Sequence, residues 1–399
     1  MLQVTDAHRR AQIGRRHGLH ADHRYDDAVS ATAAMTALHA TEPATPYLSL
    51  RARVGGLGVP EVDAALYDER SLVKPLVMRR TLFVVTRELL PAVVGSAGRR
   101  VAEAGRKRLV KDAGALGDEL GEELGEGWID TVSREIVDAL TGVELSARQL
   151  RDALPHAGGT FTAAPGSKWS AEVPLMSRFL TILGATGDIV RAHNAGHWRI
   201  SRPLWTAMTT WLGEPLKPSE PRAGYAEVVR RWLWTFGPGT EDDLVWWLGA
   251  TKAAARAALA DVDAVPVTLD DGSTGWVLPD DTADLEAPPS TEPWVALLPT
   301  LDPTTMGWRD RAFYLDPAHT PYLFDRAGNG GTTVWVDGRI VGCWVQDEQD
   351  RVQLVLLEEV SRRARRALDG EVARLDEFLR GERITNVFAS PQMKHQRIS

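Results

Sequence analysis

The sequence predicts an α+β chain: three helix–helix–helix–hairpin units in tandem, followed by a small C-terminal β-barrel or sheet. Three observations carry this expectation. Helix-forming runs recur in groups, and each group is closed by a β-branched, apolar run. After residue 294 the amphipathic runs give way to short strand-like runs. Between these regimes, residues 279–293 are rich in Asp, Pro, Ser and Thr and read as a linker. The expected units are 1–112, 113–222, 223–289 and 290–390, with a tail over 391–399.

Residues 1–27 are basic and polar, with Arg9, Arg10, Arg15, Arg16 and His17, and form a first helix or an arm. A helical run over 28–40 breaks at Glu42-Pro43, because the residue before proline is pushed out of helical geometry. A second run over 45–54 carries Arg51 and Arg53. A short helix over 63–70 and a strand or hairpin over 76–85 complete the group. Helices followed by a β-hairpin are the layout of a winged helix.

The second group has helices over 128–140, 146–154 (Ser146 as N-cap) and 174–183. Its two short strands over 189–200 flank Asn194-Ala195-Gly196. The third has helices over 226–236, 240–248 and 251–259, and a hairpin over 265–278 turning at Asp271-Gly272. Thr240 caps the middle helix, with Asp243 three residues on and acidic residues that suit a helix N-terminus. Strands over 294–298, 332–336, 339–345 and 352–357 and a charged helix over 359–380 end the chain; disorder is expected after Ser390.

Of the 399 residues 44% are apolar, enough for real cores, and the formal net charge is -8. That balance argues against non-specific coating of nucleic acid and leaves room for a local basic groove. The single cysteine, Cys343, excludes an intramolecular disulfide and any all-cysteine metal cluster, and fits a reducing cytoplasm. The first ten residues lack an apolar signal core, and no run is long enough to span a bilayer.

The candidate catalytic residues are His39, Thr41 and Glu42, three polar groups at the Pro43 break. A neutral imidazole can accept a proton from water near neutral pH, and Thr41 can position that water. Glu42 is a second candidate base or a partner for the histidine. Residues two apart in a helix point about 200° apart, so His39 and Thr41 share a water only if the helix ends between them. The bland alternative has Thr41 as a cap, Glu42 solvated and His39 bonded within the fold.

Arg51, Arg53, Arg79 and Arg80 are candidate phosphate contacts, since arginine binds phosphate in bidentate fashion; Thr81 can add a hydroxyl. The alternative is ion pairing with Glu61, Asp63 or Glu69. His193, Asn194 and His197 on the second hairpin suit a minor groove or an ordinary polar turn. A metal there lacks a carboxylate or Cys at matching spacing. Asp302 reads as structural, and Arg311 as its partner or a phosphate contact.

Several stretches together resemble the winged-helix DNA-binding family that includes the AlkZ-type alkylpurine DNA glycosylases. They include Leu38-His39-Ala40-Thr41-Glu42-Pro43 with Leu48-Ser49-Leu50-Arg51-Ala52-Arg53, and Met78-Arg79-Arg80-Thr81-Leu82-Phe83-Val84-Val85. Further stretches are Gly237-Pro238-Gly239-Thr240, Leu297-Leu298-Pro299-Thr300-Leu301-Asp302-Pro303, Gly307-Trp308-Arg309-Asp310-Arg311 and 336–344. The resemblance implies tandem winged helices plus a C-terminal β-barrel around duplex DNA. It also implies excision of N-alkylated purines and unhooking of interstrand crosslinks, with little base flipping for bulky lesions. The glycosylases carry Gln-x-Gln or Gln-x-Asp where His39-Ala40-Thr41 stands, and a wing His where Phe83 stands.

The expected function is therefore hydrolysis of the N-glycosidic bond of cationic alkylated bases. The expected partner is damaged double-stranded DNA and the expected state a monomer, with no cofactor, metal or membrane. The alternatives are a non-catalytic winged-helix DNA-binding or regulatory protein, and a protein that sequesters a small genotoxin.

Overall fold

A computed structural model describes residues 2–120, 124–157, 159–163, 171–287, 289 and 292–394. The chain forms two compact units. The first comprises Met1–Leu72, Val84–Thr86 and Tyr225–Ser399; the second comprises Val73–Phe83 and Arg87–Gly224. Among the described residues no helix is long and apolar enough to cross a membrane.

In the first unit the N-terminal segment forms the helix Asp6–Arg16, capped by Thr5. Gln3–Val4 adds a parallel strand to Val265–Leu269, which is paired in a hairpin with Thr274–Val277. The buried side chains of Val4, Val267, Leu269, Val277 and Leu285 make this a local core. The helix expected over 28–40 ends early. It spans Ala28–Ala34, Thr36 turns with φ 62°, and Leu38–His39 is a strand. That strand lies beside Phe83–Thr86 in a three-stranded sheet, and such long-range pairing overrides local helix propensity.

The Thr45–Arg53 helix follows, with proline in its first turn, where the missing N–H costs nothing. Helix Glu241–Leu248 carries the expected capping box between Thr240 and Asp243, and Thr251 caps Lys252–Asp261. The first part of the expected linker is structured: Pro279–Asp281 is a helical turn and Thr282–Glu286 a helix. Asp281 is buried against Arg16 at 2.7 Å, and Arg15 reaches Asp284 at 2.6 Å. A composition rich in Asp and Pro read as a linker because those two partners lie far away in sequence.

The four C-terminal strands are Val295–Leu298, Thr333–Val336, Arg339–Gln346 and Val352–Leu356, all antiparallel in chain order. They form an open sheet among the described residues, since the first and last strands do not pair, and no closed barrel is seen. The Arg362–Leu379 helix packs against the sheet. The expected disorder after Ser390 is not what residues 391–394 show. Gln392 N–H donates to Tyr322 O at 3.0 Å, and Thr332 N–H to Met393 Sδ at 3.3 Å. Residues 395–399 of the expected tail lie outside the described residues.

In the second unit Leu76 and Leu82 bridge antiparallel around the turn Met78–Arg80, giving the expected hairpin. The helices Arg99–Leu120, Glu126–Ala139, Ala147–Ala153 and Leu175–Thr186 surround a core that includes Leu109, Ile136, Phe179 and Leu183. Ser146 caps its helix as expected. The second hairpin is wider than the sequence suggests: Ile189–Asn194 pairs with Pro203–Ala207. The Asn194 side chain spans the loop, donating to the carbonyls of Gly196, His197 and Ile200 and accepting from Arg202 N–H.

Candidate active site and nucleic-acid contacts

The first unit places His39, Thr41 and Glu42 on one short connection between the Leu38–His39 strand and the Thr45–Arg53 helix. The expected helix is replaced by the Leu38–His39 strand, and Thr41 and Glu42 lie on the bend that follows it. His39 is 4% exposed and Glu42 2%, whereas Thr41 is exposed. The solvated Glu42 of the bland reading is therefore excluded. Phe388 N–H donates to Glu42 Oε1 at 2.8 Å. Burial raises the Glu42 carboxyl above its ordinary value, and the Phe388 and Val387 amides partly oppose that rise.

Arg53 does not serve as a phosphate contact. Its side chain is 0% exposed and forms a two-pronged pair with Asp302, at 2.8 and 2.9 Å. Ser49 Oγ donates to the same carboxylate, and Arg53 also donates to Thr304 Oγ1. The guanidinium serves this buried network because the 45–53 helix turns that face inward. Arg51 is mostly buried and pairs at 3.4 Å with Glu371, which Arg24 and Arg374 also approach.

In the second unit Arg79 and Arg80 sit at the hairpin tip with φ 54° and 59°, left-handed geometry that non-glycine residues adopt only at a cost. Thr81 Oγ1 donates to Met78 O and closes the turn. The tip packs on the Arg99–Leu120 helix. Burial lowers the pKa of Arg178 in the same unit; Asp112, 3.3 Å away, opposes this, while Arg108 and Arg80 add to it. Like charges thus converge on the tip's flank.

A family description, DNA glycosylase AlkZ-like, matches residues 32–378. The chain belongs to the AlkZ-like DNA glycosylase family. It is a DNA glycosylase-like protein with DNA as its substrate. In three dimensions it is similar to the Streptomyces sahachiroi DNA glycosylase AlkZ, with a TM-score of 0.75 over 96% of this chain and 99% of that one. The sequence identity is 19%, so this likeness speaks for the fold. No curated protein matches the chain in sequence.

In this AlkZ-like chain, stretches far apart in sequence meet as structure. Asp243, 1% exposed, accepts Arg309 N–H at 2.8 Å, and Trp308 Nε1–H donates to Phe236 O at 2.9 Å. Arg311 does not bond Asp302. Its guanidinium lies 4.5 Å from the Phe324 ring and 5.4 Å from that of Trp246. His193 pairs through Nδ1 with Glu144 at 2.7 Å, and Asn194 is committed to its loop. Of the three candidates on that hairpin, His197 is the exposed one. Sequence reasoning missed Glu371, Glu144 and Phe388, each far along the chain from the residue it binds.

Proposed function

We propose that this AlkZ-like protein hydrolyses the N-glycosidic bond of cationic alkylated nucleobases in damaged double-stranded DNA. It acts as a monomeric, monofunctional glycosylase, in repair or in self-resistance to a genotoxin. The observation that carries the reading is the family match across residues 32–378, which includes the 39–42 segment. An N-alkylated purine is already positive and leaves as a neutral base, so leaving-group protonation contributes little. What remains is to hold a water at the sugar C1′ and accept its proton as the C1′–O bond forms and the C1′–N bond breaks. Glu42 suits the proton acceptor, because a carboxyl raised by burial is a stronger base than a solvated one. Thr41, exposed on the same connection, orients the water, and His39 supports both. Water is the nucleophile in this reading, with Glu42 as the group that takes its proton.

The helix-and-hairpin groups are read as winged-helix units gripping the duplex. Arg79 and Arg80 at the first wing, with Thr81, are the leading phosphate contacts; His197 is the candidate on the second. Arg51 and Arg311 are secondary, given their existing partners.

The test is incubation with duplex containing N7-methylguanine, followed by alkali cleavage of abasic sites. Breaks that appear with the wild type and vanish in Glu42→Gln and His39→Ala support the reading. A second reading, a DNA-binding protein without catalysis, is favoured by the His39-Ala40-Thr41 replacement of the glutamine motif and the low exposure of His39. Salt-dependent binding with no breaks on any alkylated duplex selects it.

A further inference from the structure

The segment that follows the Arg362–Leu379 helix crosses the first unit and meets Glu42 near its middle. Upstream, Gln346 Nε2 donates to Glu382 O at 2.9 Å and Ile384 N–H donates to Gln346 Oε1 at 2.8 Å. Downstream, Ser390 is fully buried and Gln392 N–H donates to Tyr322 O at 3.0 Å. Gly331 permits this approach: a Cβ there would stand 2.7 Å from the Ser390 side chain and from Met393 Sδ. Between the two anchors, Phe388 N–H donates to Glu42 Oε1, while Val387 is 76% exposed. The segment is thus fastened on both sides of its contact with the carboxylate.

We propose that residues 382–394 form a strap that positions Glu42 for hydrolysis, with the backbone N–H of Phe388 as the positioning group. The inference rests on the glycosylase reading above. A carboxylate held by the fixed Phe388 and Val387 amides has fewer orientations to lose when substrate arrives, so more encounters are productive. The same amides favour the ionised form that accepts the proton. The charged groups on neighbouring elements are engaged elsewhere: Arg51 with Glu371, Arg53 with Asp302, and Arg383 on the strap with Asp350. Along the chain, Thr41 is adjacent to Glu42, and His39 and Thr45 each lie three residues away.

Phe388→Ala keeps the N–H; Phe388→Pro removes it and keeps the Val387 N–H. The expected result on N7-methylguanine duplex is near-normal DNA affinity in both variants. The kcat of Phe388→Pro falls about tenfold or more, and the acidic limb of its pH profile moves to higher pH, because the carboxylate has lost a donor. Equal kcat and equal pH profiles for the proline and alanine variants overturn the proposal. If the proline variant does not fold, Gly331→Ala displaces the strap without touching Phe388. The same split between kcat and affinity is then expected, and a folded Gly331→Ala enzyme with unchanged kcat and profile overturns the proposal. If the wild type releases no base, the glycosylase reading itself fails. The strap is then judged by carbon-13 titration of Glu42, where identical pKa values in wild type and the folded variant overturn it.

Discussion

Glu42 is the residue whose environment departs most from what its local sequence suggests. Next to a proline on an apparent surface turn, it reads as solvated; it is 2% exposed and bonded to an amide 346 positions away. Its folded pKa lies above the unfolded value, so its contribution to stability is present at low pH and lost as pH rises through the folded pKa. Ionised Glu42 therefore costs stability at neutral pH. Glu42→Gln keeps an acceptor for the Phe388 N–H and removes the charge. It is expected to melt no lower than wild type at pH 7 while base release falls by at least about a hundredfold. A variant of wild-type activity would remove Glu42 from the mechanism. Arg80 shows the same tension at the hairpin tip, where its φ of 59° costs roughly 1–2 kcal/mol over ordinary geometry. Arg80→Gly is expected to raise the melting temperature slightly and to weaken DNA binding. The slope of log affinity against log salt should shrink by about 1. An unchanged slope would place Arg80 outside the phosphate contacts.

At the scale of elements, features that depend on neighbours a few residues away were legible. The caps at Ser146 and Thr240, the hairpin turning at 271–272, and the four C-terminal strands all stand where the residue pattern puts them. What was illegible depends on distant partners. The strand at Leu38–His39, the N-terminal strand and the helical 279–286 segment each exist because a far part of the chain pairs with them. The Thr45–Arg53 helix illustrates both sides. Its span followed from its composition, but the inward turn of Arg53 followed from Asp302, whose partner the sequence did not reveal. Removing one member of so buried a pair leaves an uncompensated charge. Asp302→Asn is expected to destabilise the first unit by about 3–5 kcal/mol in chemical denaturation. A loss below about 1 kcal/mol would mean that Ser49 and Thr304 alone satisfy the guanidinium.

At the scale of the molecule, the polar network around Arg53 ties together segments from both ends of the chain, and His17 is its titratable hinge. His17 is fully buried, with Nδ1 2.8 Å from Thr304 Oγ1 and Nε2 3.1 Å from Thr235 O. The carbonyl can only accept, so Nε2 carries the proton and Nδ1 accepts from the Thr304 hydroxyl. Burial is the main cause that lowers the His17 pKa to about 3, and the Arg53 charge adds to it. The unfolded imidazole takes up a proton near pH 6.5, whereas the folded one resists until about pH 3. Between those values the unfolded state holds the extra proton, so stability falls as pH falls. The expected slope from this one group is about 1.4 kcal/mol per pH unit. Urea denaturation followed by tryptophan fluorescence between pH 7 and pH 4.5 measures it. His17→Gln, which cannot titrate, is expected to be less stable at pH 7 but to lose stability less steeply on acidification. If wild type and His17→Gln show equal slopes, the acid sensitivity of the first unit lies in other groups, and His17 is a packing residue rather than the proton-linked centre of the network.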